Sequence, residues 1–349
     1  MTLIFTDQNN TAVEEAQLSW NGSSWSVSQF SSTPVLTAPS GYTYTMPSYV
    51  AENQGNSSSS VKCEYLAVVE TDTESGVTQI PVFYNTDKGA GPSYYNTGVA
   101  LPGSQPLHAP RLVWLPGIAD VQSVGLLYQA EDSSGNAWLC WEAMVANVNN
   151  TMWTLFHPNA PDEQLFQMPN AQNVAYNSGF SVATVVTADG TDAPGTQYLA
   201  YLANTGSGSF IQTAVYTPYS SGAPASWGHE QTLTNSANDE FYTPSYVKLT
   251  YTGSSVYVFF DYRPVGGSAN TLYIDTLSAS TPFGSCSTCY TPTYQLTTPA
   301  PPVGATWYQN PRIDAPEYVT SDYIPVWLQY EPSGTTPYSL LFWSVPWGG

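Results

Sequence analysis

The chain has 349 residues, with 26 Asp+Glu against 6 Lys+Arg and a net charge of −20 at pH 7. Such a balance repels nucleic acid and anionic membrane, and leaves neutral molecules, cations or basic surfaces as partners. No run of 18 apolar residues occurs, so no membrane-inserted helix is expected.

Tyr (26), Pro (28) and Gly (26) are abundant, which favours pleated strands joined by tight turns. The first 30 residues read as three strands: "TLIFTDQ", "TAVEEAQLSW" and "SSWSVSQF". Then comes 47-PSYV-50, which returns as 244-PSYV-247, with relatives 110-PRLV-113 and 311-PRID-314. Aligned on Pro47, Pro110, the region of Ser178, Pro244 and Pro311, the chain repeats every 63 to 68 residues. After each site follows an apolar run: "EYLAVVE", "GLLYQAE", "QYLAYLAN", "VYVFFDY" and "IPVWLQYE". A Gly-, Ser- or Asn-rich turn, a third run and in most units a more polar fourth segment complete each unit. Four short strands repeated in this way describe a β-propeller blade. The expectation is one all-β domain over 1–349, with blades starting near 47, 110, 178, 244 and 311 and residues 1–30 as closing strands. Five four-stranded blades fit best, and six is the alternative. The last unit has three runs, so "SSWSVSQF" is expected to supply its outer strand by pairing with "YSLLFWS". The proline of each site is expected to open the innermost strand, where its missing N–H is harmless.

The stretch "LIFTDQNNTAVEEAQLSWNGSSW" resembles a repeat of the fungal fucose-specific lectins, which are β-propellers. The resemblance implies a sugar site using Glu14 or Glu15 and Trp25. The Arg that opens such a site is not present, because Thr2 or Leu3 stands there. A second resemblance is to five-bladed glycosidases of the arabinanase and xylosidase type. "TMPSYV" and "HAPRLV" are similar to the stretches carrying two of their catalytic carboxylates. Met46 and Arg111 stand where those acids would be, while Asp314 and Glu317 occur in "DAPEYV". Glycoside hydrolysis needs two carboxylates at a set separation, so the sequence favours a non-catalytic, lectin-like carbohydrate-binding propeller. The alternatives are a glycosidase with a rearranged carboxylate pair, or a structural surface scaffold without a small ligand.

In a propeller, inner-strand starts and second-strand ends share one face. That geometry nominates Arg111 with Glu131 and Arg312 with Glu331, as ion pairs or as a polar clamp for a ligand. Trp307, Tyr308 and Tyr242, just before inner strands, could stack on a sugar, and Asp261 lies near a second-strand end. Glu70 and Asn204 take similar places, and Tyr44 precedes an inner strand.

No cofactor is expected. Calcium at the acidic turns "ETDTESG" and "ADGTDAPG" is the exception, although neither has the spacing of a complete loop. Cys286 and Cys289 form a lone CxxC without a second pair or nearby His, which reads as a loop disulfide or two quiet thiols rather than zinc. Residues 1–10 lack a basic region and an apolar core, so either no secretory signal is used or it has been removed. A secretory setting is slightly favoured, and oligomeric state is not legible.

Overall fold

In the computed structural model the apolar runs become antiparallel strands, with no helix among the described residues. The structure describes residues 2–21, 25–51, 64–85, 95–102, 107–114, 123–131, 134, 136–146, 153–155, 163–168, 180–186, 192–204, 209–217, 226–232, 247–251, 255–262, 271–278, 294–295, 303, 306–307, 313–314, 323–331 and 339–346.

These strands form six sheets in chain order. The first holds β1 (Thr2–Thr6), β2 (Ala12–Trp20), β3 (Trp25–Phe30) and β4 (Leu36–Thr37), with β3 and β4 both on β2. The second runs β5 (Tyr42–Ala51), β6 (Glu64–Asp72), β7 (Thr78–Asn85), β8 (Tyr95–Pro102). In the third, β9 (Leu107–Trp114), β10 (Ser123–Glu131) and β11 (Ala137–Ala146) are followed by β12 (Trp153–Leu155) and β13 (Glu163–Met168), both on β11. The fourth is β14 (Phe180–Val186), β15 (Asp192–Asn204), β16 (Ser209–Thr217), β17 (Ser226–Thr232). The fifth is β18 (Val247–Tyr251), β19 (Ser255–Tyr262), β20 (Thr271–Ser278), β21 (Tyr294–Gln295). In the sixth, β22 (Thr306–Trp307) and β23 (Ile313–Asp314) share one edge of β24 (Tyr323–Glu331), and β25 (Ser339–Pro346) takes the other.

The first five sheets stack in succession, as propeller blades do. One cluster unites Val13 and Val35 of the first sheet region with Leu66, Val68 and Phe83 of the second. The next joins Tyr65, Ala67 and Val69 to Leu112, Leu126 and Tyr128 of the third. A third joins Leu127, Leu139 and Trp141 to Val182, Leu199 and Tyr201 of the fourth. The fourth and fifth sheets meet through β14 and β18. This explains why β6 reads as an unbroken apolar run. Its even residues face the first sheet and its odd residues the third, so residues 64–70 are all buried.

The same sidedness explains Gly125. A Cβ there would lie 2.0 Å from the Trp141 ring, which packs edge-on against Trp227 across the sheet interface. Only glycine leaves room for that ring.

The ladders also revise two sequence expectations. The N-terminal strands form a sheet of their own, because β3 pairs with β2 from Ala16↔Phe30 to Trp20↔Trp25. β3 does come near β25, but no ladder joins the two among the described pairings. Two of the repeated prolines, moreover, do not open their strands. Pro47 and Pro110 sit inside β5 and β9, at β-bulges in matching places. Thr45 faces Val69 and Ser48 faces Ala67, so Met46 and Pro47 together oppose Val68. Likewise His108 faces Gln129 and Arg111 faces Leu127, so Ala109 and Pro110 together oppose Tyr128. A bulge leaves a residue outside the ladder, and proline loses nothing there. Ser178, Pro244 and Pro311 lie outside the described residues.

Candidate functional site

The bulges matter because the innermost strand is the exposed edge of each blade, and a bulge re-aims the side chain it extrudes. Met46 takes φ 51, a left-handed conformation that is rare for a residue with a Cβ and is further disfavoured before proline. Its side chain packs against the cluster between second and third sheets and also against the one between third and fourth. Met46 therefore spans the inner edge of the third sheet.

Beside it, the inner strands are tied together. The Ser48 hydroxyl oxygen accepts a 2.9 Å hydrogen bond from the Leu112 N–H, an edge group of β9. Ser181 does the same for Leu249 N–H at 3.0 Å, joining β14 to β18. Both serines are buried. At the matching ladder positions of the intervening sheets stand Arg111, opposite Leu127, and Lys248, opposite Phe259. Asp314, opposite Trp327, holds that place in the sixth sheet. Since Lys248 matches Ser48, the second PSYV is displaced by three residues from the first in the ladder. Two of the chain's 6 Lys+Arg thus occupy matching inner-strand positions.

Arg111 is half-buried, and its Nη1 donates to the Pro110 carbonyl at 3.3 Å. The register sets it four residues short of Glu131, about 13 Å along the strand. The expected Arg111–Glu131 adjacency is therefore not what the ladder provides, because the bulge and strand offset leave Leu127 opposite the arginine. Gln129 is the group brought near instead. It lies two positions beyond Leu127 on the same face, is 5% exposed, and its Nε2 has no hydrogen-bond partner. The sequence reading passed over Gln129, since a single polar residue inside an apolar run carries no motif.

In the sixth sheet Thr306 faces Glu331 and Trp307 faces Tyr330, so Trp307 and Glu331 share one end of the blade. Glu131 ends β10 opposite Ala137, and Asp261 lies on β19 opposite Leu272. Arg312, Tyr308 and Tyr242 lie outside the described residues, as do Cys286 and Cys289.

The acids near Met46 are turned away from the inner edge. Glu70 is buried and accepts hydrogen bonds from Gln79 Nε2 and the Tyr44 phenol. Burial, then the Glu70 charge and hydrogen bond, push the Tyr44 phenol well above the usual tyrosine range. At the other end of β6, Glu64 accepts from Tyr49 Oη. Both glutamates face the first sheet, on the side of Leu66 and Val68. Of the lectin-like residues, Glu15 lies on β2 and accepts from Gln17 Nε2.

The acidic turn after β6 is closed from within. Asp72 accepts from Glu74 N–H at 2.8 Å and Ser75 N–H at 3.0 Å, and these bonds hold its carboxyl below the usual range. Gly76 supplies the left-handed φ of 71 that the turn needs. Among the described residues no three His, Cys, Asp or Glu side chains group as metal ligands. Of the second acidic turn, residues 188–191 lie outside the described residues, and residues 192–195 open β15 as strand.

No family model matches the sequence, and no curated protein matches it. Similar solved structures do exist. An arabinofuranosidase mutant of Fusarium graminearum in complex with an iminosugar inhibitor aligns over 97% of this chain and 86% of its own, at TM-score 0.52 and 10% identity. The same organism's α-L-arabinofuranosidase with arabinobiose aligns over 89% and 84%, at 0.49 and 13%. A Penicillium chrysogenum α-L-arabinanase with arabinobiose aligns over 87% and 86%, at 0.47 and 11%. The lectin resemblance gains no support from these structures. At such identity the likeness to the first is one of fold, and the chain shares the all-β, propeller-type architecture of that glycosidase.

Proposed function

We propose that the protein recognises a carbohydrate at the mouth of its central channel, and that it binds the sugar without cleaving it. The observation that carries this reading is the bulge in β5. It spends backbone strain to hold an apolar side chain, Met46, at an inner edge where Arg111 stands nearby. Strain of this kind collects at functional sites. An apolar platform beside a guanidinium donor suits a sugar, which has an apolar face and a rim of hydroxyls. Trp307 and Tyr308, with Tyr242, would add stacking surface, and Glu131, Asp261, Arg312 and Glu331 would add polar contacts.

Non-catalytic binding is supported by where the acids go. Glu64 and Glu70, the buried glutamates nearest the bulge, are held by tyrosines against the first sheet. A second reading, hydrolysis by a rearranged carboxylate pair, is supported by the fold likeness to an arabinofuranosidase and by Glu131 and Glu331 at the ends of β10 and β24.

The finer architecture belongs to the same proposal. We infer a ring of six blades rather than the five favoured by the repeat count. In support, Ala16 and Leu18 are buried on the face of β2 opposite Val13, as a sheet flanked on both sides requires. The approach of β3 to β25 fits closure of the ring at that point.

The test is a glycan array, followed by titration and reducing-end assays on arabino- and xylo-oligosaccharides. The proposal expects binding that weakens in Arg111→Ala, with no new reducing ends. Release of sugar that is lost in Glu131→Gln and Glu331→Gln would establish the second reading instead.

A further inference from the structure

Two side-chain donors stand close together at the inner edge of the third sheet. Arg111 carries five N–H donors and no acceptor. Gln129, on the same face and two positions along, has a side-chain amide nitrogen that is buried with no acceptor in reach. Both face the fourth sheet, because their ladder partners Leu127 and Leu139 belong to the cluster with Val182 and Leu199. Met46 packs on the same cluster. A buried amide N–H without an acceptor costs free energy, so its natural complement is an oxygen brought by something else.

A neutral hydroxyl both gives and takes a hydrogen bond. A carboxylate only accepts, and it matches a guanidinium fork on two oxygens. A net charge of −20 repels such a group at long range, but the field at the site is local, with a screening length of about 8 Å at physiological salt. Glu64 and Glu70 are turned to the opposite face, Glu131 holds a position on this face about 13 Å along the strand from Arg111 and so beyond that length, and Ser48 and Ser181 are neutral. Lys248 repeats the cation two sheets on, and among the described residues Asp314 stands at this ladder position in the sixth sheet.

We infer that the edge between third and fourth sheets takes a carboxylated sugar, a uronic acid residue of an oligosaccharide, with Arg111 and Gln129 as donors to the carboxylate and Met46 against the apolar face. The inference rests on the carbohydrate reading above and adds the class of sugar to it.

The experiment compares trigalacturonate with the neutral galactose trisaccharide of the same linkage, by calorimetric titration of the full chain at low and moderate salt. The acid should bind at least about tenfold tighter, and the advantage should shrink with salt. Arg111→Gln and Gln129→Leu should each remove most of that advantage. Gln129→Leu should also keep or raise the melting temperature, since it removes an orphaned amide. A fall in melting temperature with unchanged affinity would make Gln129 structural and overturn the inference. Equal binding of acid and neutral sugar would overturn it while leaving the carbohydrate reading intact. Binding of neither would remove both. Acetate alone competing as strongly as an equal concentration of the uronate would reduce the site to an anion site and overturn the sugar assignment.

Discussion

Removing the serine tie between second and third sheets tests whether the inner strands are held as described. In Ser48→Ala the Leu112 N–H loses its acceptor, which lies 2.9 Å away at a site where Ser48 is 6% and Leu112 1% exposed. Water cannot easily replace the hydroxyl there, so the loss should approach the cost of an unsatisfied buried donor, about 1–3 kcal/mol. Unfolding entropy of roughly 2.1 cal/mol/K per residue, over 349 residues, sums to about 0.7 kcal/mol/K. A loss of about 1.5 kcal/mol then lowers the melting temperature by only about 2 °C, so the better assay is urea unfolding at constant m-value. Ser181→Ala should cost a similar amount, because its bond to Leu249 is 3.0 Å long and it is buried as well. The two ties share no residue and lie in different interfaces, so the double variant should show the sum within about 0.5 kcal/mol. If Ser48→Ala unfolds at the wild-type urea midpoint, the Leu112 N–H has another partner and the inner strands are not held by these serines.

Gly125→Ala should destabilise by about 1–3 kcal/mol or more, since its new methyl meets the Trp141 ring at 2.0 Å. Near-ultraviolet circular dichroism should report the displaced Trp141–Trp227 pair, and an unchanged spectrum and melt would contradict the packing. Asp7 accepts from Thr11 N–H, Ala12 N–H and the Thr11 hydroxyl; partial burial raises its pKa, but these bonds outweigh it and the net shift is downward. Its contribution is therefore present above the unfolded value near 3.9 and lost as pH falls through the lower folded value. Asp7→Asn should cost about 1 kcal/mol at pH 7, with the gap closing below about pH 4. A gap equally large at both ends would refute the carboxylate's role. Tyr44 should remain a phenol at pH 11 because its pKa is raised, so Tyr44→Phe should not reduce the tyrosinate absorbance there. A drop of one tyrosine's worth would show that the phenol is not held by Glu70.

The repeat was legible because it is a property of many residues at once. Runs such as "EYLAVVE" are apolar on both faces, and the structure buries them between two sheets. The proline of the first PSYV was legible as punctuation but misread in place, since a proline that opens a strand and one inside a bulge leave the same trace in a single sequence. The ladder separates them, and it also shows that the two PSYV copies are not in register. Spacing in sequence set Arg111 beside Glu131, whereas the bulged ladder sets it opposite Leu127, four residues short of that glutamate. Glu70 was read on the ligand face. It is turned inward by Tyr44 and Gln79, which lie 26 and 9 residues away and could not be connected to it without the fold. Gln129 left no sequence signal, as its significance lies in lacking a partner.

The central claim is that a sugar sits at the inner-strand bulges. The direct measurement is a crystal structure of the full chain soaked with the tightest oligosaccharide from the array. The sugar should lie at the channel mouth, in contact with Met46 and hydrogen-bonded to Arg111. A sugar bound instead on the outer strands, at β3 or β17, with Met46 and Arg111 untouched, would contradict the account.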